Sequence, residues 1–241
     1  MDNNHTPFPN HIKEQQLQIL LNQFEMISKN TLMQASILKQ LFDEPKSDAL
    51  YEEAVSNEII IDRLEVKIRE EVAFSIFKFS PVAEDLRRII AYQDLTTNLE
   101  RIGDMLLNII RFVRQSPLTD SHLYEVRTII IRMHDHTTQM IRNAVMSFTN
   151  QSLETAYMVI KSDDDLDTMY HELKALLCRL FSHQELRVED VYTLLALEGI
   201  GHNLERCGDS ATNIAESTIY LVKGKDIRHE KDEDNTQDIS C

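Results

Sequence analysis

Two carboxylates one helical turn apart, Glu100 and Asp104, are followed by the amide of Asn108, and the same set recurs as Glu205, Asp209 and Asn213. On an α-helix, residues i and i+4 lie about 40° apart around the axis and about 6 Å apart along it, so each set forms one ridge of oxygen-bearing side chains. Residues 98–109 read NLERIGDMLLNI and residues 203–214 read NLERCGDSATNI, identical at eight of twelve positions with an offset of 105 residues. A second acid pair precedes each ridge at the same offset: Glu58 with Asp62, and Asp163 with Asp167. Eight carboxylates in two matched sets of four repel one another at neutral pH, and bound cations would remove that penalty. Oxygen-only ligation favours hard ions over soft-site metals. Iron is the first expectation, with manganese, magnesium, calcium or zinc behind it.

A single pair of this kind is weak evidence. With 40 acidic residues in 241, about six or seven i,i+4 acid pairs are expected by chance on solvated helix faces. Duplication is what raises the signal, because the acids, both Asn positions and the Gly recur while the apolar residues between them drift. Gly103 and Gly208 are two of only five glycines, each inside a helical pattern where Gly costs about 1 kcal/mol relative to Ala. Either a packed helix or a bound cluster must approach the backbone there, the helix being the stronger reading. Arg101 and Arg206 can orient carboxylates or form ordinary ion pairs. Asn108 and Asn213 fit hydrogen bonding between helices better than ligation. Cys207 takes the place of Ile102 in the repeat and reads as a core thiol. His202 has Thr97 as its counterpart and reads as incidental.

The elements that carry these residues are long helices. Apolar residues at three- and four-residue spacing (Leu17, Leu20, Phe24, Ile27, Leu38, Leu41) mark a helix from about Lys13 to Asp43, ended by Pro45. A second runs from about Ser47 to Phe79, with core line Ile61, Leu64, Ile68 and Val72. A third follows with Pro81 at its first turn and extends to about Gln115. The plan then restarts with helices over about 121–148, 153–181 and 186–222. The breaks at Pro45 and Asn150, and at Pro81 and Leu186, keep the offset of 105. These patterns predict an all-α protein of two tandem three-helix bundles, six long antiparallel helices related by a pseudo-twofold repeat. The expected organisation is a disordered terminus (1–11), one bundle over 12–117, a second over 118–223, and a disordered acidic tail (224–241). The ridge at Glu100 and Asp104 points nearly opposite the seam of Leu99, Ile102, Leu106 and Ile109, so it is expected on the outward face of its bundle. Glu58 and Asp62 lie about a quarter-turn from their own core line, on a flank able to face that ridge. Whether the pairs meet within a half, across halves or across subunits stays open at this point.

Composition narrows the function classes. A formal charge of −15 argues against nucleic acid as a partner. Three cysteines without metal-finger spacing fit a reduced, cytoplasmic setting, and no apolar run reaches membrane-spanning length. Nucleophile elbow, Walker loop and dinucleotide fingerprint are all missing from the sequence. A ferritin-like di-metal enzyme or metal-storage protein is the alternative, but it would carry Glu-x-x-His pairs, and no His here has Glu three residues before it. A non-enzymatic role is therefore expected.

The repeated LERIGD…NI and LERCGD…NIAE segments, each with its preceding acid pair, resemble the PhoU family of phosphate-uptake regulators over about residues 14–222. The resemblance implies two three-helix bundles whose acidic motifs hold multinuclear metal clusters. By position these motifs fall on Glu58/Asp62 with Glu100/Asp104, and on Asp163/Asp167 with Glu205/Asp209. It further implies a regulator that links a phosphate ABC transporter ATPase to a sensor histidine kinase and holds the phosphate-starvation response off. Such a protein would act as a cytoplasmic homodimer, reaching the inner membrane only through its partners. Met105, Leu106 and Leu107 depart from the family pattern, and Arg111 stands where the second copy has Glu216. Residues 59–61 are III where the second half has Asp164, Asp165 and Leu166. The second site is therefore expected to be the stronger cation binder.

Overall fold

The computed structural model describes residues 10–81, 83–182 and 185–224; the expectations for residues 1–9 and 225–241 lie outside these. Six helices follow in order: α1 (Asn10–Leu41), α2 (Asp48–Phe79), α3 (Ala83–Gln115), α4 (Tyr124–Thr149), α5 (Leu153–Phe181) and α6 (Val188–Lys223), with a short 3₁₀ turn at Ser121–Leu123 before α4. No strand occurs among the described residues. α1 opens at Asn10 and so takes in two residues of the segment expected to be disordered. Pro81 lies in the α2–α3 connection, outside both helices.

The repeat is visible in the local chemistry that starts the helices. Ser47 and Ser152 hold the same place in the two halves, and each hydroxyl accepts from a first-turn backbone N–H, of Leu50 at 3.5 Å and of Thr155 at 3.3 Å. Such caps satisfy one of the four donors that a helix start leaves without a partner. α6 begins instead with Arg187 and Asp190, whose carboxylate accepts from the Arg187 backbone N–H at 3.0 Å. It ends at Gly224 in the left-handed region, φ 68°, where Gly avoids the Cβ penalty.

Within each half the three helices pack on one another, and α3 lies against α6 and α1 against α4 to join the halves. α1 and α2 run antiparallel: Gln16, early in α1, donates to Glu71, late in α2, at 2.7 Å, while Asn57 donates to Asn30 O at 2.9 Å. The same buried bond fixes the first and third helices of each half, Thr31 Oγ1 to Leu99 O and Thr137 Oγ1 to Leu204 O, both at 3.4 Å. Buried apolar side chains form one continuous cluster through both halves. At their junction Phe148 packs edge-on against Phe24 and Tyr92, with ring centroids 5.0 and 5.2 Å apart. Further along the same α1–α4 contact, His134 is buried edge-on against Phe42, ring centroids 5.3 Å apart, and bonds Ala35 O at 2.9 Å. No helix among the described residues is long and apolar enough to cross a membrane.

Candidate metal centre

The acid pairs meet within each half. α2 crosses α3 at Gly103, where a Cβ would lie 3.1 Å from Ile61 Cδ1 and equally 3.1 Å from Glu58 Oε2. α5 crosses α6 at Gly208, where a Cβ would lie 2.3 Å from Leu166 Cδ2 and 3.3 Å from Asp163 Oδ1. Each glycine thus admits both a packed helix and the first acid of that helix's pair. Close approach is the reason for the missing side chain, since both residues have ordinary helical backbone.

Glu58 lies on the flank of α2 that faces the α3 ridge, and it is buried there. Only 6% of it is exposed, and neither carboxyl oxygen meets a hydrogen-bond donor among the described residues. Burial raises its pKa to about 8, and the carboxyls of Asp104, Asp62 and Glu100 push the same way. Among the described residues the neighbouring carboxyl of Asp104 is the polar group in hydrogen-bonding reach, a contact that favours the protonated form of Glu58. The sequence held a signal for this burial: Glu58 stands four residues after Ala54 and three before Ile61, both fully buried, and so lies on the edge of the core line itself. Asp62 and Asp104 are exposed and Glu100 is half-buried. Desolvation first, then Asp104, raises Asp62 and Glu100 as well, and Glu65 adds to the pressure on Glu100. Glu65 is a member of this site that the motif reading missed.

In the second half Asp163 is half-buried against Gly208, Glu205 is half-buried, and Asp167 and Asp209 are exposed. Desolvation, then Asp209, raises Glu205, and desolvation, then Asp167, raises Asp209, while His202 and Arg206 lower both. His202 is therefore no bystander. Its Nδ1 lies 3.7 Å from Glu205 Oε2, and its ring sits 6.2 Å from that of Tyr170. Tyr170 occupies the place of Glu65 in the repeat and donates to Glu198 at 2.8 Å. The first half thus gathers the more strongly compressed set of carboxyls. Asp164 and Asp165, part of the reason for expecting the second site to bind cations more strongly, are exposed to solvent.

Between α3 and α6 the two sites flank a groove of about 430 Å³ lined by the same four positions of each repeat. These are Arg101, Asp104, Met105 and Asn108 from one half, and Arg206, Asp209, Ser210 and Asn213 from the other. Neither Arg101 nor Arg206 forms an ion pair among the described residues; each acts on its neighbouring Glu through space. Asn108 accepts from Arg111 of its own helix at 2.8 Å rather than bonding across helices. Cys207 is fully buried, as a core thiol should be.

As the side chains stand, no three His, Cys, Asp or Glu groups among the described residues are drawn together tightly enough to hold a metal ion. The chemistry of the donor set nevertheless fits a hard cation. All eight acids offer oxygen only, and the first site contains a buried carboxyl without a donor.

Fold and site together define a class of protein, an all-helical tandem repeat with a four-carboxylate site in each half. The chain belongs to the PhoU family: the PhoU domain model matches it twice, over residues 25–113 and 130–218. It is 30% identical over 209 residues to a protein of Clostridium acetobutylicum named phosphate-specific transport system accessory protein PhoU homolog, covering 84% of this chain and 93% of that one. It is 27% identical over 215 residues to PhoU homolog 1 of Thermotoga maritima, covering 82% and 89%. The crystal structure of PhoU from Pseudomonas aeruginosa superposes with a TM-score of 0.78 at 25% identity, over 88% of this chain and 99% of that one. The phosphate transport system regulatory protein PhoU from Streptococcus pneumoniae, at 21% identity, shares the fold with a TM-score of 0.79, over 89% and 99%.

Proposed function

We propose that this chain is a non-enzymatic, metal-binding accessory regulator of phosphate transport and of phosphate-starvation signalling. Membership of the PhoU family and the printed names of its relatives support the association with phosphate transport. The observation that carries the metal reading is the convergence of Glu58 and Asp62 with Glu100 and Asp104, Glu58 being buried without a donor. Glu58, Asp62, Glu100 and Asp104 would hold one ion or cluster, and Asp163, Asp167, Glu205 and Asp209 the other. A bound hard cation, iron first, would neutralise the carboxyls and fix α2 to α3 and α5 to α6. The protein then acts by contact, as a cytoplasmic homodimer, with a transporter ATPase and the cytoplasmic part of a sensor histidine kinase.

Elemental analysis of protein purified without chelator tests the metal reading. Wild type should carry metal, and Glu58→Ala/Asp104→Ala and Glu205→Ala/Asp209→Ala should each lose the content of one half. Metal-free wild type, or unchanged content in both variants, overturns it. Pull-down of the transporter ATPase and of kinase cytoplasmic segments tests the regulatory part separately.

A further inference from the structure

α2 has the same inner line as α5: Ile61, Leu64, Ile68 and Val72 correspond to Leu166, Met169, Leu173 and Leu177. Its outer side is different. Ile59, Ile60, Val66, Phe74 and Phe77 are 46, 44, 44, 45 and 88% exposed, where the second half carries Asp164, Asp165, His171 and Arg179 on α5 and Ser182 just after it. α2 packs only against α1 and α3, so no other described helix covers this side. Ile59, Val66 and Phe74 are spaced by seven and eight residues, Phe77 follows about one turn on and Ile60 lies at the edge, so these side chains form one stripe along the helix. Core packing does not call for it, because the repeat does without it. Apolar stripes of this length on a helix mark a protein contact.

From this stripe we infer that α2 is the dimer face of the protein, packing antiparallel against α2 of a second copy about a twofold point beside Val66 and Lys67. Val66 lies at that point, and two residue pairs of this face are self-complementary about it. Ile59 comes level with the partner subunit's Phe74, and Arg63 comes level with the partner subunit's Glu70, each contact occurring twice. Arg63 and Glu70 are exposed, and neither forms an ion pair within its own chain among the described residues. Two chains each carrying a charge of −15 repel one another over most of their surfaces. Arg63, Lys67 and Glu70 leave this stripe slightly basic, so it is a place where two copies approach without that penalty. The inference names the face used by the homodimer of the proposed function, and it is independent of whether the acid sites hold metal.

Sedimentation velocity of the full chain over a concentration series tests it, with helix content checked by circular dichroism. Wild type should dimerise, and Arg63→Glu and Glu70→Arg should each weaken self-association about tenfold or more. An equimolar mixture of the two variants should recover the wild-type dimer, since each chain then meets opposite charges at both levels. Phe74→Glu should give a monomer that no charge partner rescues. A wild type that stays monomeric overturns the homodimer itself. A wild-type dimer unaffected by these variants, or a mixture that fails to recover, overturns the α2 face alone.

Discussion

Replacing Glu58 by Gln should remove the pH dependence of stability that this one carboxyl imposes on the metal-free protein. In the unfolded chain Glu58 ionises at its ordinary value near 4.5, and in the folded chain it ionises at about 8. Between those values the folded protein keeps a proton that the unfolded chain has released, so stability falls as pH rises from about 5 and the loss is complete above about 8. Burial with no donor on either oxygen gives the sign. The span converts to at most about 5 kcal/mol at about 1.4 kcal/mol for each tenfold step. Relaxation around the partly solvated Asp62 and Asp104 reduces this to about 2–4 kcal/mol. Gln keeps the shape, cannot ionise, and offers an N–H₂ donor to the Asp104 carboxylate. Urea unfolding in chelator from pH 5 to pH 9 should therefore find the variant close to wild type at pH 5 and more stable by about 2–4 kcal/mol at pH 9. Parallel curves across the range, or a variant less stable at pH 9, would refute a carboxyl compressed by its neighbours.

Three further outcomes follow from the same geometry. A hard cation added at pH 7 should raise the melting temperature of wild type with release of about one proton per first site, measured in weakly buffered solution, and should do much less for Glu58→Gln. Gly208→Ala drives a methyl to 2.3 Å from Leu166 Cδ2 in the α5–α6 contact; the expected loss is about 1–2 kcal/mol by denaturant unfolding, net of the helix propensity gained, and a gain in stability would contradict that packing. Phe24→Ala empties a fully buried place between Tyr92 and Phe148 and should cost about 3–5 kcal/mol. Its unfolding should remain a single transition, because the apolar cluster runs through both halves, and separate melting of the halves would count against that continuity.

Much of the architecture was legible from residues close together in the chain. The seam of Leu99, Ile102, Leu106 and Ile109 is buried in full, and the serines at 47 and 152 start α2 and α5 where the breaks placed them. The duplicated acids were equally plain, and both glycines correctly signalled a backbone approached by another helix. Glu58 was read on the flank facing α3, but its burial was not, although it stands four residues after Ala54 and three before Ile61, both buried. The parts played by Glu65, Tyr170 and His202 were missed because each is seen only across a helix–helix contact.

The sequence by itself determined six helices, their limits and the repetition of the acid pairs, because caps and periodicity act between residues at most four apart. Only the tertiary structure decided that α2 meets α3 at Gly103 and α5 meets α6 at Gly208, which gathers four carboxyls in each half and buries one of them. That outcome depends on the crossing and axial register of packed helices. These are set by the shapes of side chains tens of residues apart, and no local pattern encodes them.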